Sequence, residues 1–247
     1  MEHSATAPPE NTTLQLADVR AALQAWPGFE AIGQATADIP AGQVFLAGGA
    51  LRSLALSGAV HTKDLDFFVS AAHSGPMLAK LAASGELTHG PFGSPRWRPA
   101  DCATYIDVMV IEQFDNGVEP CHDITGVLRQ FDFTANAIAM DLQSGQVFDP
   151  VAGLTDCRDR MLRAVRLDYP DEPFAPGGTL TRMDVLWMRL VHYAHKLRFA
   201  IAPTTLAWLL ANQHRQRHAN AFAQLFFPVA PQAVAAMLTQ QVAPEAP

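Results

Sequence analysis

Val44-Phe45-Leu46-Ala47-Gly48-Gly49-Ala50-Leu51-Arg52, followed by Lys63-Asp64-Leu65-Asp66-Phe67-Phe68-Val69, is the stretch whose reading decides the fold. Val44 to Ala47 reads as a short apolar strand running into two glycines. Glycine permits backbone angles and close approaches that a Cβ would block. Leu51 to Ser57 has helical spacing and Gly58 marks its stop. Asp64 and Asp66 then lie two apart on a second strand, so both side chains point to one face. Two carboxylates on one face repel each other unless a cation sits between them. Magnesium prefers hard oxygen ligands, and the phosphate oxygens of a nucleotide would complete its shell.

A second block follows downstream. Phe131-Asp132-Phe133-Thr134-Ala135-Asn136-Ala137-Ile138-Ala139 leads through Gly145-Gln146-Val147 into Phe148-Asp149-Pro150-Val151-Ala152-Gly153-Leu154, then Asp156 and Met161-Leu162-Arg163-Ala164-Val165. The two blocks together, over roughly residues 42–165, resemble the DNA polymerase beta-like nucleotidyltransferase superfamily. More narrowly they resemble the head domain of tRNA CCA-adding enzymes and bacterial poly(A) polymerases. The matching features are the glycine pair with an arginine three residues on, the Asp-x-Asp strand, the Asp-Phe-Thr-x-Asn-Ala segment and the Asp-Pro-x-x-Gly-Leu-x-Asp turn.

The resemblance implies transfer of a nucleoside monophosphate from a triphosphate such as ATP or CTP to an RNA 3′-hydroxyl, tRNA in particular. It also implies two magnesium ions held by Asp64 and Asp66, with a third carboxylate from a neighbouring strand. Asp107, inside the apolar run Thr104 to Ile111, matches that third position; the alternative is a solvated edge residue. Gly48 and Gly49 would admit backbone N–H groups to the triphosphate, and Arg52 would add a fork of donors. Lys63 would do the same, or simply lie exposed beside two acids. Asp132 and Asn136 would contact the nucleotide, its ribose in particular. They share a face if their stretch is helical; the alternatives are an N-cap and a buried, satisfied amide. Asp149 and Asp156, in a turn, are read as structural. Arg189 is retained from a series of arginines expected on the following helix.

The departures are specific. Ser53 stands where an acid usually follows the arginine, and Gln130-Phe131 replace two arginines before Asp132. Leu186 and His192 occupy two further arginine positions, and no acid-rich, base-reading helix or tRNA-gripping tail is recognisable after Asn212. These losses fall on base selection and RNA binding, so the expectation is a divergent, truncated member with retained nucleotide chemistry. Transfer to a protein or small molecule, or a non-catalytic nucleotide- or RNA-binding module, are the competing readings.

Composition sets the remaining bounds. At 247 residues, 49% hydrophobic and 17% charged, the chain is long and apolar enough for a sizeable core. A net charge of −7 argues against a broad nucleic-acid surface but leaves room for a local groove. Arg215 and Arg217, with His214 and His218, form the only basic cluster and are the candidate RNA contact. The pairs His192/His195 and His214/His218 have metal-ligand spacing but read more readily as a helix face or polar surface. Three widely spaced cysteines, an acidic N-terminus and no long apolar run point to the cytoplasm and to no membrane partner.

The expected architecture is α+β: a nucleotidyltransferase head with a small mixed sheet and flanking helices, followed by a short helical, neck-like domain. Its divisions are a loose tail at 1–12, the head at 13–166, a Pro/Gly-rich linker at 167–180, helices at 181–239 and a loose tail at 240–247. Helices are expected at Leu14–Trp26, Met77–Ala83, Met183–Phe199 and Thr204–Asn212. Gly85–Pro99 is expected to be a turn-rich connection, and Phe131–Leu142 a helix or strand entering a hairpin.

Overall fold

The computed structural model describes residues 14–60, 62, 64–90, 93–173 and 178–240. Helices α1 (Leu16–Gln24) and α2 (Phe29–Thr36) precede β1 (Val44–Ala47), α3 (Gly49–Ser57), β2 (Asp64–Val69) and α4 (Ala71–Ala82). The chain continues through β3 (Gly85–His89), β4 (Pro95–Pro99), β5 (Tyr105–Val110), α5 (Ile124–Leu128), β6 (Ala139–Asp141) and β7 (Val147–Phe148). Then come α6 (Gly153–Arg158), β8 (Met161–Leu162), α7 (Arg182–Leu197), β9 (Ala200–Ile201), α8 (Pro203–Ala211), α9 (Ala219–Leu225) and α10 (Pro231–Leu238).

Seven strands form one mixed sheet in the order β3-β4-β5-β2-β1-β6-β7. The β2–β5 pair is parallel and the other pairs are antiparallel. Period-two alternation divides the sheet into two unlike faces. Val44 and Leu46 of β1, Leu65, Phe67 and Val69 of β2, and Ile106 and Val108 of β5 enter the main core with the helices. Phe45, Ala47 and Phe68 face the other way, into a smaller cluster completed by Ile111, α5, Ala137 and Ala139. Asp64, Asp66 and Asp107 alternate onto this second face, beyond the end of its apolar cluster.

Two expectations need correction. Gly85–Pro99 is not merely a turn-rich connection but the β3–β4 hairpin, with Leu87 opposite Trp97. Its bracketing prolines hide the strand pattern, and Trp97 is fully buried. The helix expected from Met77 begins at Ala71 and carries Pro76 inside it. Of the two readings of 131–142 the strand holds: after a 3-10 turn at Thr134–Asn136, β6 enters the hairpin with β7.

The C-terminal helices share the main core with the sheet. Trp187, Met188, Leu190 and Val191 of α7 and Leu206 and Leu209 of α8 belong to the same buried cluster as Leu51 and Leu65. The parallel β8–β9 pair joins the end of the head to the segment between α7 and α8. Thr181 and Asp184 form a reciprocal capping box at the start of α7, satisfying two otherwise orphaned backbone donors. The expected linker is anchored on both sides, with Arg182 N donating to Glu172 O at 3.2 Å. Residues 174–177 within it, the expected tail at 1–12, and all but the first residue of the tail expected at 240–247 lie outside the described residues.

Arg215 is part of this framework and not a surface contact. It is 7% exposed and donates to Asp171 Oδ2 at 2.7 Å and Asp184 Oδ1 at 3.0 Å. The basic appearance of the cluster in sequence concealed acidic partners distant along the chain. Arg217 is exposed and donates to His218 Nε2 at 2.9 Å. Arg215→Met should destabilise the fold by about 3 kcal/mol, because Asp184 would be left as a buried, uncompensated charge. Arg217→Ala should stay within about 0.5 kcal/mol. Urea midpoints of the two variants check both expectations.

Candidate active site

The site forms where β1 ends. Ala47, a small residue, lies opposite Asp66 across the β1–β2 pair, and Gly48 follows at φ 76° and ψ −135°. A Cβ on Gly48 would lie 2.9 Å from Asp66 Oδ2, so position 48 demands glycine twice, for its dihedrals and for the approach of the carboxylate. Gly48 N donates to Ile138 O at 3.1 Å, which removes that N–H from the donors expected for a triphosphate. Gly49 opens α3, whose first turn carries backbone N–H groups without intrahelical partners. That helix start lies beside Asp66, and a helix N-terminus is an end that favours negative charge.

Asp64, Asp66 and Asp107 come together through register. Asp66 pairs with Asp107 across β2–β5, and Asp64 with Tyr105. Burial pushes the Asp66 carboxyl up to about 7, and the neighbouring charges of Asp64, Asp107 and Asp132 add to the shift against the opposing pull of Arg189. Among the described residues the pull of Arg189 does not offset burial and the neighbouring carboxylates at Asp66. Asp64 accepts from the Thr62 hydroxyl and, at 3.5 Å, from Tyr105 Oη. Both Asp107 oxygens are taken by Arg96, Nε to Oδ1 at 2.7 Å and Nη2 to Oδ2 at 2.8 Å. Among the described residues no group of three His, Cys, Asp or Glu side chains is arranged as a metal cage. Magnesium does not need one, because it is commonly held by one or two carboxylates with substrate phosphates and water. The Asp64/Asp66 pair, with its unmet demand for positive charge, fits that role.

A polar chain backs the pair. Arg189 on α7 donates to Asp132 Oδ2 at 2.7 Å, and Asn136 Nδ2 donates to Asp132 Oδ1 at 3.1 Å. Arg52 Nη1 in turn donates to Asn136 Oδ1. Asp132 and Asn136 therefore meet as expected, although through a 3-10 turn and not a helix. Arg52 has a second partner besides the glycine turn. It is 8% exposed, packed with its Cζ 5.3 Å from the Tyr193 ring centroid, and holds Asn136 while its Nη2 lies 3.5 Å from where a Cβ on Gly49 would stand. Lys63 lies outside the described residues.

Asp149 accepts from the backbone N–H of Leu154, and Asp156 from the Thr134 hydroxyl and Arg163, the structural roles expected of them. The substitutions at 130 and 131 also have a physical account. Gln130 is 1% exposed and donates to Glu119 O at 2.7 Å, while Phe131 packs against Phe68 with ring centroids 5.7 Å apart. His192 packs against the Phe227 ring at 4.2 Å, and burial, with Lys196 and Arg189 nearby, lowers it to about 4. It is a neutral packing residue.

Sequence reasoning missed Arg96, Tyr105 and Tyr193. Arg96 was hidden in the apparent connection; its signal is the Arg-Trp-Arg alternation of Arg96 to Arg98. Tyr193 follows Arg189 by four residues on α7 and so shares its face, its ring centroid 5.4 Å from the Arg189 Cζ.

Comparison with known proteins agrees with this geometry. Residues 98–163 match the poly A polymerase head domain. The multifunctional CCA protein of Haemophilus ducreyi is 29% identical over 174 residues, covering 66% of this chain. The chain is thus similar, over part of its length, to the poly A polymerase head domain and to CCA proteins. It spans only 38% of the length of that CCA protein. Two solved structures share the fold. A CCA-adding enzyme in complex with CTP superposes with a TM-score of 0.66 at 18% identity, over 92% of this chain and 54% of its own. A tRNA nucleotidyltransferase with a primer tRNA and an incoming ATP analog gives 0.55 at 22% identity, over 76% and 52%. No helix among the described residues is long and apolar enough to cross a membrane.

In the absence of divalent ions, stability should depend on Asp66. Its folded carboxyl titrates near 7 and an unfolded aspartate near 4, so the folded state holds the proton more tightly. That stabilisation is present at acid pH and is lost as pH rises through about 7. The melting temperature in EDTA should therefore fall by several degrees between about pH 5 and about pH 8, and Asp66→Asn should flatten the fall. Thermal melts across that range, with the variant alongside, check it.

Proposed function

We propose that this chain transfers a nucleoside monophosphate from a nucleoside triphosphate to the 3′-hydroxyl of an RNA, releasing pyrophosphate, with tRNA the acceptor class and ATP or CTP the donor. The Asp64/Asp66 pair against the Gly48 turn carries the reading, because a carboxylate pair short of positive charge beside a helix start suits a magnesium-bound triphosphate. The relatives bound to CTP, to tRNA and to an ATP analog support the same substrates here.

In the reaction the acceptor oxygen bonds to the α-phosphorus while the bond to pyrophosphate breaks, and charge builds on the phosphoryl oxygens. Catalysis is then chiefly positioning and electrostatic stabilisation. Magnesium held by Asp64 and Asp66 supplies charge neutralisation at the phosphates and activation of the hydroxyl when bound. The N–H groups of the first turn of α3 face the same anionic group. Asp132, fixed by Arg189 and Asn136, presents a carboxylate edge for a ribose hydroxyl. Arg52 keeps Asn136, and through it Asp132, in register, and is a positioning residue.

The burial of Arg215 favours one alternative acceptor class. It removes half of the basic cluster available for RNA, which leaves transfer to a protein or small molecule as the second reading. Incubation with each labelled nucleoside triphosphate, magnesium and total tRNA decides between them. The unsubstituted chain should label RNA, and Asp64→Ala with Asp66→Ala should lower labelling by at least about 10²-fold. Equal labelling by both proteins would remove the carboxylate pair from the mechanism. Label appearing only in added protein or small-molecule fractions would favour the second reading.

A further inference from the structure

Arg96, Asp107 and Asp66 stand in one row across three adjacent strands. Arg96 is opposite Asp107 in the β4–β5 pair, and Asp107 is opposite Asp66 in the β5–β2 pair. We propose that Arg96 is the resident counter-ion of Asp107, so that the Asp64/Asp66 pair alone takes up a divalent cation in this chain. The inference rests on the metal reading above and concerns how many carboxylates take part in it.

The ion pair is built, not incidental. The guanidinium fork meets both carboxylate oxygens at 2.7 and 2.8 Å, the bidentate geometry that gives charge-assisted pairs their strength. The two side chains are only 19% and 16% exposed, so solvent screens the pair poorly. The Arg96 Cζ lies 3.8 Å from the Tyr105 ring centroid, and Tyr105 Oη reaches Asp64 Oδ2. Gly90, just past β3, lies against the pair. A Cβ on Gly90 would lie 3.4 Å from both Arg96 Nη2 and Asp107 Oδ1. For Asp107 to ligate a metal ion it must give up both hydrogen bonds and leave an enclosed guanidinium unpaired. Asp64 and Asp66 face no such competitor among the described residues, where Asp64 meets only hydroxyl donors. A cation of single charge therefore already stands where a second divalent ion would draw on Asp107.

Mn2+ titration of the full chain, followed by electron paramagnetic resonance without nucleotide, counts the ions and their affinity independently of catalysis. The unsubstituted chain should take up one ion, lost in the Asp64→Ala/Asp66→Ala variant. Asp107→Asn should leave the affinity within about twofold, where loss of a ligand would weaken it at least about tenfold. Arg96→Gln should add a second ion or tighten binding about tenfold, while Arg96→Lys, which keeps the charge, and Arg98→Gln, its exposed neighbour, should match the unsubstituted chain. Two ions in the unsubstituted chain, or a tenfold loss in Asp107→Asn, would overturn the inference and leave the Asp64/Asp66 reading standing. If Arg96→Gln does not fold, Asp107→Asn decides alone. No Mn2+ uptake by the unsubstituted chain would overturn the metal reading and the inference with it.

Discussion

Asp64 and Asp66 share one face at the start of β2, with Asp107 in register beside Asp66, and the mutual repulsion of these carboxylates is the constraint on which the structure turns. Each neighbouring element answers it. Ala47 and Gly48 give Asp66 room, since a Cβ at position 48 would touch its carboxylate. Arg96 neutralises Asp107 from β4, and Arg189 pulls on Asp66 from α7 while pairing with Asp132. Asp66 itself, buried and among like charges, holds a proton more readily than an ordinary aspartate. The site is thus poised for a cation by the fold and not by a preformed metal cage.

The same constraint explains why the C-terminal helices matter to a site built on the sheet. Arg189 and Tyr193 sit one turn apart on α7 and reach the Asp132–Asn136–Arg52 chain. The capping box at Thr181 and the Arg215 pairs with Asp171 and Asp184 fix where that helix begins. Trp187 Nε1 donates to Leu209 O at 3.0 Å and ties α7 to α8. A change that loosens α7 would therefore be felt at Asp132, although no residue of that helix need touch the reacting atoms.

The glycine turn, the Asp-x-Asp strand, the strand holding Asp107 and the α7–α8 pair were legible in sequence, because each depends on local periodicity or on residues with singular backbone needs. Asp149 and Asp156 were legible as turn residues for the same reason. What escaped was set by pairing across the chain. Arg96 faces Asp107 only because Pro95–Pro99 is a strand, a state its prolines disguise. Arg215 looked basic and available because Asp171 and Asp184 lie 44 and 31 residues away. The bond from Arg52 to Asn136 and its packing under Tyr193 join residues 84 and 141 positions away, which no local pattern encodes.

The central claim is that Asp64 and Asp66 form a cation-dependent triphosphate site. Its most direct measurement is the shift in melting temperature on adding ATP or CTP at neutral pH, with and without magnesium, for the unsubstituted chain and for Asp64→Ala/Asp66→Ala. The account predicts a rise of several degrees that requires magnesium and disappears in the double variant. An equal rise in both proteins, or none in either with either nucleotide, would contradict it.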